Sequence, residues 1–221
     1  MTNPVPLRER LRALATFPRS GLPDLEPAAA PATPHELFLT WMDEAIDAEL
    51  LAPHVLILST TGADGEVHAR ALILKDVTPE GWWFASRSSG PKAKDLGSNP
   101  HAAGTFFWPG LGRQIKLTGT VAAATPEQSR ADFLARPARS RAAGLVDNQS
   151  EPLGSIAEYE AAYSEALDAV TADPTLTAPD WTAYVLTPTA VEFWQATDDG
   201  PHTRLLYTHA GTAWTTTLLW P

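Results

Sequence analysis

The sequence predicts an α+β fold, a barrel of antiparallel strands carrying helices inserted in blocks. Two observations carry that expectation. Short β-rich runs bounded by turn residues fill positions 55 to 124 and return from 181 to 219, while helical periodicities fall ahead of, within and between those two blocks. The 221 residues suit one large domain with a substantial core.

Residues 1–33 are expected to form an extended arm, because Gly21 to Thr33 are rich in Pro and Ala without periodicity. Order in that arm would need a partner surface, and the domain proper spans 34–221. From Pro34 to Leu51 the apolar residues Leu37, Leu39, Trp41, Met42 and Ile46 recur at helical spacing, with Thr33 as N-cap and Glu36 completing a capping box. The texture then changes. Val55 to Thr60, Val67 to Lys75, Trp82 to Ser86, Ala102 to Trp108 and Arg113 to Ala124 read as strands, the first two forming a hairpin around Ala63-Asp64-Gly65. Pro91 to Ser98 is a short helix with proline in its first turn, stopped by Asn99-Pro100. Helices are predicted over Pro126 to Ala135, Arg139 to Val146 and Ile156 to Ala172, followed by a linker to Asp180. Trp181 to Pro188, Ala190 to Gln195, Thr203 to His209 and Ala213 to Leu219 form an antiparallel meander with a turn at Ala210-Gly211.

Composition excludes several kinds of chemistry. Sixteen Lys and Arg against 26 Asp and Glu give a formal charge of −10, which repels nucleic acid. The absence of cysteine removes disulfides, thiolate metal sites and cysteine nucleophiles, and fits a reducing cytoplasm. No stretch near the N-terminus has the apolar length of a signal peptide or membrane span, so a soluble, cytoplasmic protein is expected. No phosphate-binding P-loop, dinucleotide fingerprint or nucleophile elbow occurs, and the six histidines lack metal-ligand spacing. An enzyme so equipped would draw its reactivity from an organic cofactor.

The run Arg70-Ala71-Leu72-Ile73-Leu74-Lys75 carries a cation at each end of an apolar strand. Alternation sends Arg70, Leu72 and Leu74 to one face and Ala71, Ile73 and Lys75 to the other. Two readings stay open at this point. The cations either cap a sheet edge and reach for water, or engage an anionic ligand at a strand edge or subunit seam.

The order of polar residues along the chain resembles the pyridoxamine 5'-phosphate oxidase family. The resemblance runs from Arg70 to Lys75 through Lys92, Asn99-Pro100, Trp108 and Arg113-Gln114. It continues over Arg136-Pro137, Ser140, Gln149-Ser150, Glu192-Phe193-Trp194, His202 and Arg204, ending near Trp214 and Pro221. It implies a split β-barrel, a homodimer, and FMN held at the subunit interface. The same resemblance implies that Arg70 and Lys92 hold the FMN phosphate, and that Ala71, Leu72, Ile73, Leu74, Lys75, Ala85 and Ser86 lie along the cofactor. Gln114, Gln149 and Ser150 would surround the flavin, the last two coming from the other subunit, and Trp194 and Arg204 would close the site. Lys75, Asp132, Arg136, Ser140 and His202 would meet a small-molecule substrate. Neither a metal nor a catalytic side chain is implied.

Three positions depart from the family pattern. Asp132 stands where a tyrosine helps hold the substrate phosphate, and is expected to oppose that phosphate or to pair with Arg136. Gly200 replaces an arginine that covers the substrate ring, and Pro91 replaces an arginine beside Lys92. The implied activity is an FMN-dependent oxidase passing a hydride to the flavin and on to dioxygen. The altered pocket raises a phenazine-like secondary metabolite as an alternative substrate. A flavin- or heme-binding protein without turnover is the alternative from another class, and deazaflavin is the alternative cofactor.

Overall fold

A computed structural model describes residues 5–18, 20–198, 200–211 and 213–221. Met1 to Pro4 and Arg19, part of the expected arm, lie outside the described residues, as do Asp199 and Thr212. The helices are α1 (Leu7–Arg12), α2 (Pro34–Asp47), α3 (Pro91–Ser98), α4 (Pro126–Ala135), α5 (Ala138–Leu145) and α6 (Ile156–Ala172). The strands are β1 (Val55–Thr61), β2 (Val67–Thr78), β3 (Gly81–Arg87), β4 (His101–Trp108), β5 (Arg113–Ala123), β6 (Trp181–Gln195), β7 (Thr203–Ala210) and β8 (Ala213–Leu218). They run in the order β3-β2-β1-β4-β5-β6-β7-β8, and a further β3–β6 pairing closes six of them into a barrel. The expected antiparallel barrel with helical additions is therefore found. Among the described residues no helix is long and apolar enough to cross a membrane.

The chain divides into two compact units. One comprises Met1–Pro53, Thr105–Lys116 and Ala190–Pro221; the other comprises His54–Gly104 and Leu117–Thr189.

In the second unit β1 and β2 form the predicted hairpin, from Val55 opposite Ile73 to Thr61 opposite Val67. Leu56, Leu58, Phe84, Leu117 and Leu186 are buried there as the apolar half of the alternation requires. The β2–β3 ladder slips between Leu74, opposite Phe84, and Asp76, opposite Trp83, so Lys75 is the extra residue of a β-bulge. Pro188 suggested a break between two strands, yet β6 is continuous. Gly119 gives the reason: a Cβ there would collide with the Thr187 carbonyl and lie 2.6 Å from the Pro188 Cα, so β6 runs against bare backbone at its proline. Helix α4 opens with a Thr125–Gln128 capping box that the sequence reading passed over.

In the first unit α2 buries Leu37, Phe38, Trp41 and Ala45, whereas Leu39 and Ile46, expected in the apolar stripe, are exposed. The helix ends at Asp47, short of Leu51. Its predicted capping box is also different, because Thr33 Oγ1 donates to Glu36 Oε2 at 2.5 Å and caps no backbone N–H. Trp41 meets Phe193 edge-on at 5.1 Å, and the Arg113 guanidinium lies 4.2 Å over the Trp41 ring. Arg113 opens β5. It is only 1% exposed, with Nη1 2.6 Å from Glu44 Oε2 and Nε donating to Gln195 Oε1 at 2.8 Å. The described part of residues 1–33 is less extended than expected. It includes α1, and the Gly21 and Leu22 N–H groups bond the Asp198 carboxylate at 2.9 and 3.3 Å. Phe17 lies 5.4 Å from the Trp194 ring, and Tyr207 donates to the Pro31 carbonyl at 2.9 Å.

Candidate functional site

Within the second unit, β2 places Arg70, Leu72 and Leu74 on its more buried face and Ala71, Ile73 and Lys75 on its more exposed one, as alternation predicts. Arg70 is held from beneath: Nη1 donates to Thr60 Oγ1 at 2.7 Å and to the Leu58 carbonyl at 3.3 Å. Its Nη2 lies 3.5 Å from Asp95 Oδ2. That carboxylate also accepts from Thr60 Oγ1 at 2.6 Å and lies 3.1 Å from His68 Nδ1. Burial works to raise the Asp95 pKa, but the bonds from Thr60 and His68 and the charges of His68 and Arg70 hold it below the usual carboxylate range. Burial lowers the Arg70 pKa against the opposing pull of Asp95.

Strand β3 ends in Ala85-Ser86-Arg87, and α3 starts at Pro91 with Lys92 buried in its first turn. Lys92 Nζ donates to Ser86 Oγ at 2.7 Å and to Gln149 Oε1 at 3.3 Å. Burial, then the neighbouring Arg70 charge, lowers the Lys92 pKa. Gln149 reaches Lys92 within one chain. The 144–147 segment that leads to Gln149 is fixed by Arg87. Arg87 Nη1 donates to the Gly144 and Val146 carbonyls at 3.0 and 2.7 Å, Nη2 to Asp147 at 2.8 Å, and Nε to Asp180 at 2.7 Å.

A second cluster gathers around Trp181. Its Nε1 donates to Asp132 Oδ2 at 2.7 Å, while Asp132 Oδ1 lies 3.6 Å from Lys75 Nζ. The Arg136 guanidinium carbon lies over the Trp181 ring, 4.0 Å from its centre. Asp132 was expected to oppose a substrate phosphate or to pair with Arg136; its ion pair is with Lys75, which the bulge re-aims toward α4, while its charge also works to raise the Arg136 pKa against burial. Gly144 makes room for Arg136, since a Cβ there would stand 2.6 Å from Nη1. Ser140 is half-buried on α5.

A cleft of about 350 Å³ joins the two clusters: Ala71, Leu72, Ile73, Lys75, Ala85, Ser86, Lys92 and Gln149 line it together with Arg136 and Trp181. Arg70 and Ser150 line an adjoining hollow with Lys92, Pro91 and Gln149. Leu74 and Asp132 line neither. The remaining predicted residues belong to the first unit. Trp194 and Arg204 are opposed across the β6–β7 ladder, and His202 lies edge-on to Trp194 at 4.8 Å. Arg204 is bound to Glu192 through Nε at 2.8 Å and Nη2 at 2.7 Å, and donates to the Trp220 carbonyl at 2.8 Å. Gln114 is half-buried on β5.

Comparison with known proteins places the chain in a family. Residues 42–169 match the pyridoxamine 5'-phosphate oxidase family, and residues 181–221 match the pyridoxine 5'-phosphate oxidase C-terminal dimerisation region. A pyridoxine/pyridoxamine 5'-phosphate oxidase of Paraburkholderia phymatum is 39% identical over 189 residues, covering 85% of this chain and 89% of that one. Its counterpart in Pseudomonas paraeruginosa is 36% identical over 201 residues, covering 90% and 92%. The chain belongs to the pyridoxamine 5'-phosphate oxidase family. Among solved structures, PhzG of Burkholderia lata, in complex with tetrahydrophenazine-1-carboxylic acid, superposes with a TM-score of 0.85 at 27% identity, covering 91% of this chain and all of that one. Membership makes the chain an oxidoreductase with FMN as cofactor, and the dimerisation region supports a homodimer.

The residues fit such a cofactor. Two cations close enough for one to depress the other's pKa, with a hydroxyl and an amide beside them, are unfavourable neighbours until a phosphate dianion stands between them. Three contributors were missed by sequence reasoning. Arg87 looked like the end of a strand, Asp95 like a polar helix residue, and Trp181 like the start of a strand. Only Arg87, a charge ending the apolar run Trp82 to Ala85, left a signal that could have been followed.

Proposed function

We propose that this member of the family is an FMN-dependent oxidase that takes a hydride from a small ring-bearing substrate and delivers the electrons to dioxygen. The observation that carries the reading is the single cleft shared by the Lys92–Ser86–Gln149 cluster and the Lys75–Arg136–Trp181 cluster. Bound FMN supplies a hydride acceptor that dioxygen reoxidises. Lys92 and Arg70 hold its phosphate, Ser86 donates beside them, and Gln149 and Ser150 border the same hollow. Lys75, Arg136 and Ser140 meet the substrate. The side chains orient the two partners and exclude water rather than act as a strong base. The dimer places cofactor at its seam, in the cytoplasm.

The curated relatives make pyridoxamine or pyridoxine phosphate the first substrate to try. A secondary-metabolite ring is the second, supported by the match to PhzG along that protein's whole length. The visible spectrum of freshly purified protein tests the proposal. Flavin bands that bleach anaerobically with substrate and return in air are expected. A colourless protein that ignores added FMN would sink the reading, and flavin that never bleaches would leave a carrier instead.

A further inference from the structure

The charged side chains on the wall of the cleft are Lys75, Arg87, Lys92 and Arg136. Their charges are not equally available. Arg87 is neutralised by Asp147 at 2.8 Å and Asp180 at 2.7 Å. Lys92, with Arg70 next to it, is committed to the cofactor phosphate under the proposed function, on which this inference rests. That leaves Lys75 and Arg136 for the substrate, and Asp132 stands 3.6 Å from the Lys75 ammonium. Two cations less one carboxylate leave a single positive charge.

A phosphate monoester near neutral pH carries close to two negative charges, so it would face a subsite with half the compensation it needs. A carboxylate carries one. Its two oxygens also match the planar fork of Arg136, whose Nη1 is buried without a hydrogen-bond partner. The guanidinium carbon of that fork lies 4.0 Å from the centre of the Trp181 ring, which holds the cation in place beside the cleft. A cationic amine is the wrong partner for Asp132, because Lys75 takes one of its oxygens and Trp181 Nε1, at 2.7 Å, takes the other.

We propose that the substrate subsite is matched to a monoanion, a carboxylate borne on a planar ring, and that Asp132 is the residue that sets this specificity by claiming Lys75. The test compares dissociation constants for 1-naphthoate, an aromatic monocarboxylate, and pyridoxal 5'-phosphate, read from quenching of tryptophan emission on the protein as purified. The readout needs no turnover, and excess FMN is present throughout so that Lys92 and Arg70 are occupied and pyridoxal 5'-phosphate meets only the substrate subsite. Wild type is expected to bind 1-naphthoate at least tenfold more tightly than pyridoxal 5'-phosphate. Asp132→Asn keeps an acceptor for Trp181 and is expected to move the ratio at least tenfold toward the phosphate. A wild type that prefers pyridoxal 5'-phosphate, or a ratio that Asp132→Asn shifts by less, overturns the proposal. The wild-type ratio decides even if the variant fails to fold. A separate titration with FMN distinguishes the two levels: no flavin uptake removes the proposed oxidase, whereas flavin uptake with the wrong ratio removes only the role of Asp132.

Discussion

Lys92 Nζ donates to Ser86 Oγ across 2.7 Å, joining the first turn of α3 to the end of β3. The bond holds a buried ammonium at the meeting point of two strands and a helix, with Gln149 Oε1 as its second acceptor at 3.3 Å. Hydrogen bonds to charged groups contribute about 1.5 to 3 kcal/mol, and neutral ones about 1. Lys92→Met is therefore expected to weaken FMN roughly ten- to a hundredfold, and Ser86→Ala about fivefold. Quenching of flavin fluorescence on titration measures both. Equal affinities for wild type and Lys92→Met would remove Lys92 from the phosphate site.

The Lys92 pKa is lowered by burial and by Arg70, from an ordinary value of 10.5. A phosphate binds the ammonium and not the amine, so FMN affinity is greatest below the lowered pKa and falls as pH climbs through it. The flavin-free protein has the opposite slope. Its unfolded chain keeps a proton that the folded chain releases, so folding stability rises with pH between the lowered pKa and 10.5. FMN titrations from neutral pH to about 10 are expected to show the first trend in wild type and a flatter profile in Lys92→Met.

The barrel and its helices were legible because their signals are local. Alternation set β1 and β2, and Pro91 and Asn99 bounded α3. The alternate faces of Arg70 and Lys75 were legible too, but not the bulge that turns Lys75 toward Asp132. That slip depends on the partner strand, where Trp83 and Phe84 leave no residue opposite Lys75. Pro188 misled for a similar reason, since the space that lets β6 continue comes from Gly119, far away in sequence. The burial of Arg113 left no local signal, because its partners lie on two distant segments, Trp41 and Glu44 on α2 and Gln195 on β6.

Arg87 is a positioning residue whose loss should be felt in stability and in flavin affinity together. It binds two backbone carbonyls and two carboxylates, and only its partner Asp147 is well exposed. Arg87→Met leaves the Gly144 and Val146 carbonyls without their donor and Asp180 without its cation. After allowance for the solvated Asp147, the expected cost is about 2 kcal/mol, read as a lowered thermal midpoint. The segment leading to Gln149 loses its anchor as well, so FMN should weaken more in this variant than in Gln149→Ala. A variant that melts lower yet binds FMN like wild type would confine Arg87 to a structural role.

Tyr207 provides a test of the other unit that is independent of the cleft. Its ring is fully buried, its hydroxyl donates to the Pro31 carbonyl at 2.9 Å, and burial, with the Glu36 charge adding to it, pushes its pKa up from 10.0 to about 12. Above pH 10 an unfolded tyrosine releases a proton that the folded one keeps, so the folded state binds more protons and stability falls as pH rises from 10.0 to about 12. Tyr207→Phe cannot ionise. It is expected to lose about 1 kcal/mol near neutral pH, where only the hydrogen bond to Pro31 is removed. Over the alkaline range its denaturation curves should decline less steeply than those of wild type, so that the two converge. Parallel declines would show that Tyr207 is not held neutral by its surroundings, and an unchanged neutral stability would show that the bond to Pro31 does not tie the N-terminal segment to β7.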